Sequence, residues 1–155
     1  MKITVITVSD RASRGIYEDL SGPEIEKLLK QAVPEIMVKR IIVPDEKDSL
    51  IKALKENLDS NYIITTGGTG ISSRDITPEV SRSFCDRDMP GIAEVLRMES
   101  YKETPNALLS RGYAGIKENT IIINFPGSVK AVRLCTSIVI PILEHGIKML
   151  SGEGH

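Results

Sequence analysis

The run TTGGTG at residues 65–70 closes an apolar stretch, and Arg74 and Asp75 follow it within five residues. Gly67, Gly68 and Gly70 carry no Cβ, so a ligand can approach their amides and they reach positive φ without strain. Successive amides curved in this way form a nest for an anion, to which Thr66 and Thr69 add hydroxyl donors. No Gly-Lys-Ser or Gly-Lys-Thr follows, so this is not a Walker A loop, and the spacing is not GxGxxG either. Taken alone, the run fits a ligand-free strand-to-helix turn equally well. Its neighbours favour the anion. Arg74 offers a planar cation suited to phosphate oxygens. Asp75 offers the hard oxygen that Mg²⁺ takes when it also holds substrate phosphates. Asp45, in Pro44-Asp45-Glu46, offers a second carboxylate from a different part of the chain. An anion cradle facing carboxylates is electrostatically consistent when a cation lies between them, and Mg²⁺ on a nucleoside triphosphate satisfies that condition. The competing readings are a loop or capping carboxylate for Asp75 and, better on propensity alone, a turn residue for Asp45.

Two further stretches have the same character. Ser9, Asp10, Arg11, Ser13 and Arg14 lie in SDRASRG directly after an apolar run, where the arginines read as anion contacts. Pro126, Gly127 and Ser128 precede a helical pattern, and a helix N-terminus is a ready anion site. Ser13 and Ser110 have no histidine placed by sequence to activate them, which argues against a serine hydrolase. Cys85, Cys135, His145 and His155 show no metal-ligand spacing; the cysteines read as reduced, buried thiols of a cytoplasmic protein.

The elements that must position these residues follow from periodicity. Residues 2–8, 36–43, 62–66 and 120–125 are β-branched runs that read as strands. Apolar residues at helical spacing mark helices over 22–32, 47–58, 91–100 and 129–150, the last bent at Pro141. Thr77 reads as the cap of another helix with Pro78 in its first turn. Residues 107–116 read as a short helix, and the tail SGEGH as frayed. Strands alternating with helices predict an α/β fold, a mostly parallel sheet with helices on both faces in a Rossmann-like three-layer arrangement. Such sheets bind ligands beyond the carboxyl ends of their strands. That rule alone brings residues 9–10, 44–46, 66–70 and 126–128 to one edge.

The chain's 155 residues suit a single domain over 1–155, and 41% apolar against 26% charged residues is a globular mix. Twenty basic against twenty-one acidic residues leave a formal net charge of −1, which gives no electrostatic footprint for nucleic acid or an anionic membrane. The opening MKITVITVSD is too short an apolar run for a secretory signal, and no run reaches the ~20 residues that span a bilayer.

The segments SDRASRGIYEDLSG, PDE, TTGGTGISSRDITPE, DRDMPG, LSR and PGSVKA occur in this order from residue 9 to residue 131. Together they resemble the molybdopterin-binding family of molybdenum-cofactor biosynthesis, the Mog/MoaB proteins, over nearly the whole chain. The resemblance implies a Mg²⁺-dependent adenylyltransferase that moves AMP from ATP to the terminal phosphate of molybdopterin and releases pyrophosphate. It implies Asp45 and Asp75 as the required aspartates and metal ligands, TTGGTG as the ligand loop, and Ser9-Asp10 in the same pocket. It further implies a homotrimer, in some members a hexamer, that hands its product to a molybdate-insertion partner. The alternatives are a non-catalytic molybdopterin carrier of the MoaB type, which has no need of the two carboxylates, and another nucleotide hydrolase or phosphotransferase, which would turn over ATP without pterin.

Overall fold

In a computed structural model, which describes residues 1–153, six strands form one sheet. The elements follow in the order β1 (Lys2–Val8), α1 (Asp10–Ser13), α2 (Ser21–Ala32), β2 (Met37–Val43), α3 (Lys47–Lys55), β3 (Tyr62–Thr66) and α4 (Thr77–Phe84). They continue with β4 (Arg87–Asp88), α5 (Pro90–Glu103), a 3₁₀ turn at Pro105–Leu109, β5 (Ala114–Lys117) and β6 (Thr120–Phe125). The chain ends with α6 (Val129–Val139), a 3₁₀ turn at Ile140–Ile142, and α7 (Leu143–Leu150). The strand order is β2-β1-β3-β6-β5-β4, with the first four parallel and the last two antiparallel.

The inner parallel strands are buried on both faces, which is why β1, β3 and β6 are continuous β-branched runs rather than alternating ones, while the edge strand β2 stays largely exposed. Side chains nevertheless sort by parity. Ile3 and Val5 of β1 and Ile64 of β3 join Ile25 and Leu29 of α2 and Val132 and Cys135 of α6 on one face. Ile6, Val8 and Ile63 join Leu50 and Leu54 of α3 and Val80 of α4 on the other. The result is the three-layer sandwich that the sequence predicts.

Three local expectations are corrected. Residues 107–116 are not a helix: the 3₁₀ turn ends at Leu109 and Ala114–Lys117 pairs antiparallel with β6. Tertiary pairing decides here, because Tyr113 lies buried with its amide hydrogen-bonded to the Asn124 side chain at 3.2 Å and its carbonyl to the Asn124 amide at 2.8 Å. Thr77 is the first helical residue of α4 rather than its cap, and its hydroxyl is used elsewhere. The predicted bend at Pro141 is a full 3₁₀ turn separating two helices. Of the tail, Gly154 and His155 lie outside the described residues; Ser151, Gly152 and Glu153 bond back to carbonyls of α7. Among the described residues, no helix is long and apolar enough to cross a membrane.

Candidate functional site

The chain leaves β1 in one direction to reach β2 and returns to the other side of β1 to form β3. The carboxyl ends of β1 and β3 therefore flank a topological switch point, where sheets of this kind open a crevice. Ser9 and Asp10 follow β1, Asp45 follows β2, residues 67–70 follow β3 and residues 126–128 follow β6, so the strand-end rule brings all four segments to this edge.

Asp10 and Asp45 lock each other. The Asp10 amide donates to Asp45 Oδ2 at 2.8 Å, and the Asp45 amide donates to Asp10 Oδ1 at 3.0 Å. Arg74 grips the same Asp10 carboxylate, Nε to Oδ2 at 3.0 Å and Nη2 to both oxygens at 2.9 and 2.8 Å. The hydrogen bonds from Arg74 hold the Asp10 carboxyl below its ordinary range. Asp45 moves the other way: burial opposes its charge first, and the neighbouring charges of Asp10 and Asp75 add to the rise. Asp75 accepts from the Ser72 amide through Oδ2 at 2.8 Å. Among the described residues, Asp45 Oδ1 and Asp75 Oδ1 accept no hydrogen bond, so each carboxylate keeps one oxygen for something else.

Both carboxylates press on the glycine loop. A Cβ built on Gly68 would stand 3.0 Å from Asp45 Oδ1, and one built on Gly70 would stand 2.8 Å from Asp75 Oδ2. Gly67 and Gly68 adopt φ of 98° and 64°, conformations an L side chain rarely takes. The loop is tied from outside. Thr77 Oγ1 donates to the Gly67 carbonyl at 2.9 Å, and Thr66 Oγ1 donates to the Pro126 carbonyl at 2.8 Å. Gly127 packs so close to Gly67 that a Cβ on it would reach the Gly67 Cα at 3.3 Å.

Two details differ from the expected cradle. The Gly67 amide donates to the Phe125 carbonyl at 3.2 Å and so is not free for an anion; among the described residues the free amides are those of Gly68, Thr69 and Gly70. Arg74 is committed to Asp10 rather than turned toward a prospective phosphate.

Two cavities flank this loop, and Ser128 borders both. One, of about 380 Å³, is lined by Thr7, Ser9, Thr66, Gly67, Gly127 and Ser128 among others. The second, of about 390 Å³ and mostly apolar, is lined by Thr69, Gly70, Asn124, Pro126, Ser128 and residues of α5. The Ser128 hydroxyl caps α6 by accepting from the Ala131 amide at 3.2 Å, and this 11-residue helix points its first amides toward the same edge. Ser9 caps α1 in the same manner. Arg11 and Ser13 sit apart: the Arg11 guanidinium lies 5.2 Å from the Tyr17 ring centre, and the Ser13 hydroxyl donates to the Asp10 carbonyl at 2.9 Å. The described residues contain no group of three or more His, Cys, Asp or Glu side chains that would hold a metal unaided. A divalent ion here would need Asp45, Asp75 and oxygens from a ligand.

Sequence reasoning missed the uses of Thr77 and Arg111. Arg111 donates to the carbonyls of Gly70 and Asp75, each at 2.7 Å. The only sequence trace of that role is the arginine of LSR, which is one of the segments carrying the resemblance.

Comparison with known proteins shows the family. Residues 4–145 match the family described as "Probable molybdopterin binding domain". A protein named molybdopterin adenylyltransferase from Helicobacter pylori strain J99 is 41% identical over 155 residues, covering 97% of this chain and 88% of that one. Another of that name, from Haemophilus influenzae, is 39% identical over 137 residues, covering 86% of this chain and 70% of that one. The crystal structure of the molybdopterin biosynthesis enzyme MoaB from Thermus thermophilus superposes with a TM-score of 0.86 at 37% identity, over 97% of this chain and 96% of that one. With the fold, the strand-end loops and these relatives in agreement, the chain belongs to the molybdopterin-binding domain family of molybdenum-cofactor biosynthesis.

Proposed function

We propose that this protein is a molybdopterin adenylyltransferase that transfers AMP from ATP to the molybdopterin phosphate and releases pyrophosphate. In this reaction an oxygen of the pterin phosphate forms a bond to the α-phosphorus of ATP. The bond from that phosphorus to the β-phosphate oxygen breaks, and the electron pair leaves with pyrophosphate. Such transfers depend on positioning and charge neutralisation rather than on a protein nucleophile. The observation that carries the reading is the placement of two carboxylates, each with one uncommitted oxygen, against a loop with three uncommitted amides. A pterin carrier needs the amides but has no use for the carboxylates.

The residues fit Mg²⁺: Asp45 Oδ1 and Asp75 Oδ1 are hard donors, and neither oxygen accepts a hydrogen bond among the described residues. When bound, the ion supplies neutralisation of the phosphate charge that carboxylates alone would repel. The amides of Gly68, Thr69 and Gly70 hold a phosphate group, and Ser128 with the start of α6 holds a second anion. Arg74 serves through Asp10, which it keeps ionised and fixed against Asp45. The reading extends to one domain over 1–155, a homotrimer and a cytoplasmic setting, each supported by the family resemblance.

The test mixes purified protein, ATP, Mg²⁺ and molybdopterin and assays pyrophosphate together with adenylylated pterin. Asp75→Asn is expected to abolish transfer and to leave pterin binding intact. Pterin binding without pyrophosphate in the wild type would establish the carrier instead, and pyrophosphate or phosphate released without pterin would establish a different nucleotide enzyme.

A further inference from the structure

The segment 71–74 that leads to Asp75 is solvent-exposed, so its geometry is not set by burial. Three sets of bonds hold it. Ser72 and Asp75 close a turn between them, with the Asp75 amide donating to the Ser72 carbonyl at 3.0 Å. Arg74 is anchored to Asp10. Arg111, arriving from the 3₁₀ turn that precedes β5, spans the two ends. Its Nε donates to the Gly70 carbonyl and its Nη2 to the Asp75 carbonyl, both at 2.7 Å, and its amide donates to the Thr69 carbonyl at 2.8 Å. Its Nη1 pairs with the Glu79 carboxylate on α4.

All three guanidinium nitrogens are therefore engaged by protein atoms, and Glu79 balances the charge. This is not the arrangement of an arginine waiting for a phosphate. A rigid planar fork delivers two donors at fixed spacing to two carbonyls, which a lysine ammonium on a flexible stem does not reproduce. Resting on the reading of Asp75 given above, we propose that Arg111 is a positioning residue. It staples the Gly70 and Asp75 carbonyls together and so keeps the Asp75 carboxylate against the loop amides. Groups that orient a metal- or phosphate-binding carboxylate from behind typically matter by ~10–100-fold in affinity or activity.

The test compares Arg111→Ala, Arg111→Lys and Glu79→Gln with the wild type in two measurements. The first is amide hydrogen exchange of the ligand-free protein. Arg111→Ala should exchange at least about tenfold faster at the hydrogen-bonded amides of Ser72, Arg74 and Asp75, with β1, β3 and β6 unchanged. Arg111→Lys should resemble Arg111→Ala, and Glu79→Gln, which keeps both carbonyl bonds, should resemble the wild type. The second is AMP transfer. Arg111→Ala should fall ~10–100-fold in kcat with the KM for molybdopterin little changed, should need more Mg²⁺ for half-saturation, and should recover partly with added guanidinium chloride below denaturing concentrations. Unchanged exchange of the Ser72, Arg74 and Asp75 amides in Arg111→Ala overturns the proposal. So does faster exchange throughout the core with activity lost and no guanidinium recovery. A wild type that releases no pyrophosphate overturns the proposed activity instead, and the exchange comparison then decides the role of Arg111 by itself.

Discussion

Gly67 offers a direct test of how the loop is built, because a second glycine isolates one of the two effects involved. Gly15 and Gly67 both have positive φ, 70° and 98°. A Cβ on Gly15 would meet nothing within 4 Å, whereas one on Gly67 would fall inside 3.0 Å of the Val8 carbonyl oxygen. Gly15→Ala should therefore cost only the left-handed strain, about 1 kcal/mol. Gly67→Ala incurs the same strain, and its overlap is with backbone, which no rotamer change relieves. Separating the loop from the end of β1 threatens the Ser9 amide bond to the Val43 carbonyl, 2.9 Å, and the Gly67 amide bond to the Phe125 carbonyl, 3.2 Å. Each such bond is worth about 1 kcal/mol net, so the total comes to about 3 kcal/mol. For a chain of this size, 1 kcal/mol moves the melting temperature by ~2–4 °C. Gly15→Ala should melt ~2–4 °C below the wild type and Gly67→Ala ~6–12 °C below, measured calorimetrically without ligands. Melting temperatures within about 2 °C of one another would refute the claim that backbone approach, and not φ alone, makes Gly67 a glycine.

Other consequences can be read from the titrating groups. Burial and the charges of Asp10 and Asp75 raise the Asp45 pKa above 3.8, so its contribution to stability is full below 3.8 and is lost as pH rises through the folded value. Asp45→Asn keeps an acceptor for the Asp10 amide. Without ligands it should melt above the wild type at neutral pH and lack this decline in melts taken across the acid range, while AMP transfer falls about a hundredfold or more. A variant that melts lower at neutral pH would show that the Asp45 charge is already compensated within the protein. Burial pushes the thiol of Cys85 up to about 11 and that of Cys135 up to about 12. Iodoacetamide at mildly alkaline pH should therefore modify half-buried Cys85 about a hundredfold, and buried Cys135 about a thousandfold, more slowly in the folded protein than in urea, as followed by mass spectrometry; equal rates in the two states would contradict these shifts.

The fold was legible where local pattern and tertiary demand coincide. Strands β1, β3 and β6 are apolar runs because they are covered on both faces, the edge strand β2 is betrayed by its β-branched residues despite its exposure, and α2, α3 and α6 carry the matching stripes. It was not legible at β4 and β5. The first is two residues long, and the second is a four-residue strand whose pairing with β6 is anchored by Asn124. Asn124 also donates at 2.9 Å to both Thr65 and Ser81, so this edge of the sheet is specified by a buried polar network rather than by periodicity. The site divides in the same way. That segments 9–10, 44–46, 66–70 and 126–128 meet follows from topology. That Arg74 holds Asp10, and Arg111 holds Gly70 and Asp75, does not: these partners are 64, 41 and 36 residues apart, and both arginines carry the same charge on an otherwise ordinary loop.

On the proposed function, the charge arrangement also ties the cradle to the carboxylates. Arg74 is paired directly with Asp10 and acts on Asp45 only at longer range, and Arg111 is paired with Glu79, so neither guanidinium pairs with the Asp45 or Asp75 carboxylate. The loop amides of Gly68, Thr69 and Gly70 attract an anion, but the two carboxylates at their sides repel one. A phosphate without a cation meets that repulsion, and a cation without a phosphate finds only two oxygens, fewer than Mg²⁺ requires from protein and ligand together. Both conflicts disappear when a metal and a phosphate arrive as one species. On the proposed function, the site would therefore take a metal–nucleotide complex in preference to either component, through electrostatics set in the protein before binding. On the same reading the two arginine bridges would serve this selectivity by remaining with their protein partners, since a free arginine in this crevice would satisfy the carboxylates and remove the need for the ion.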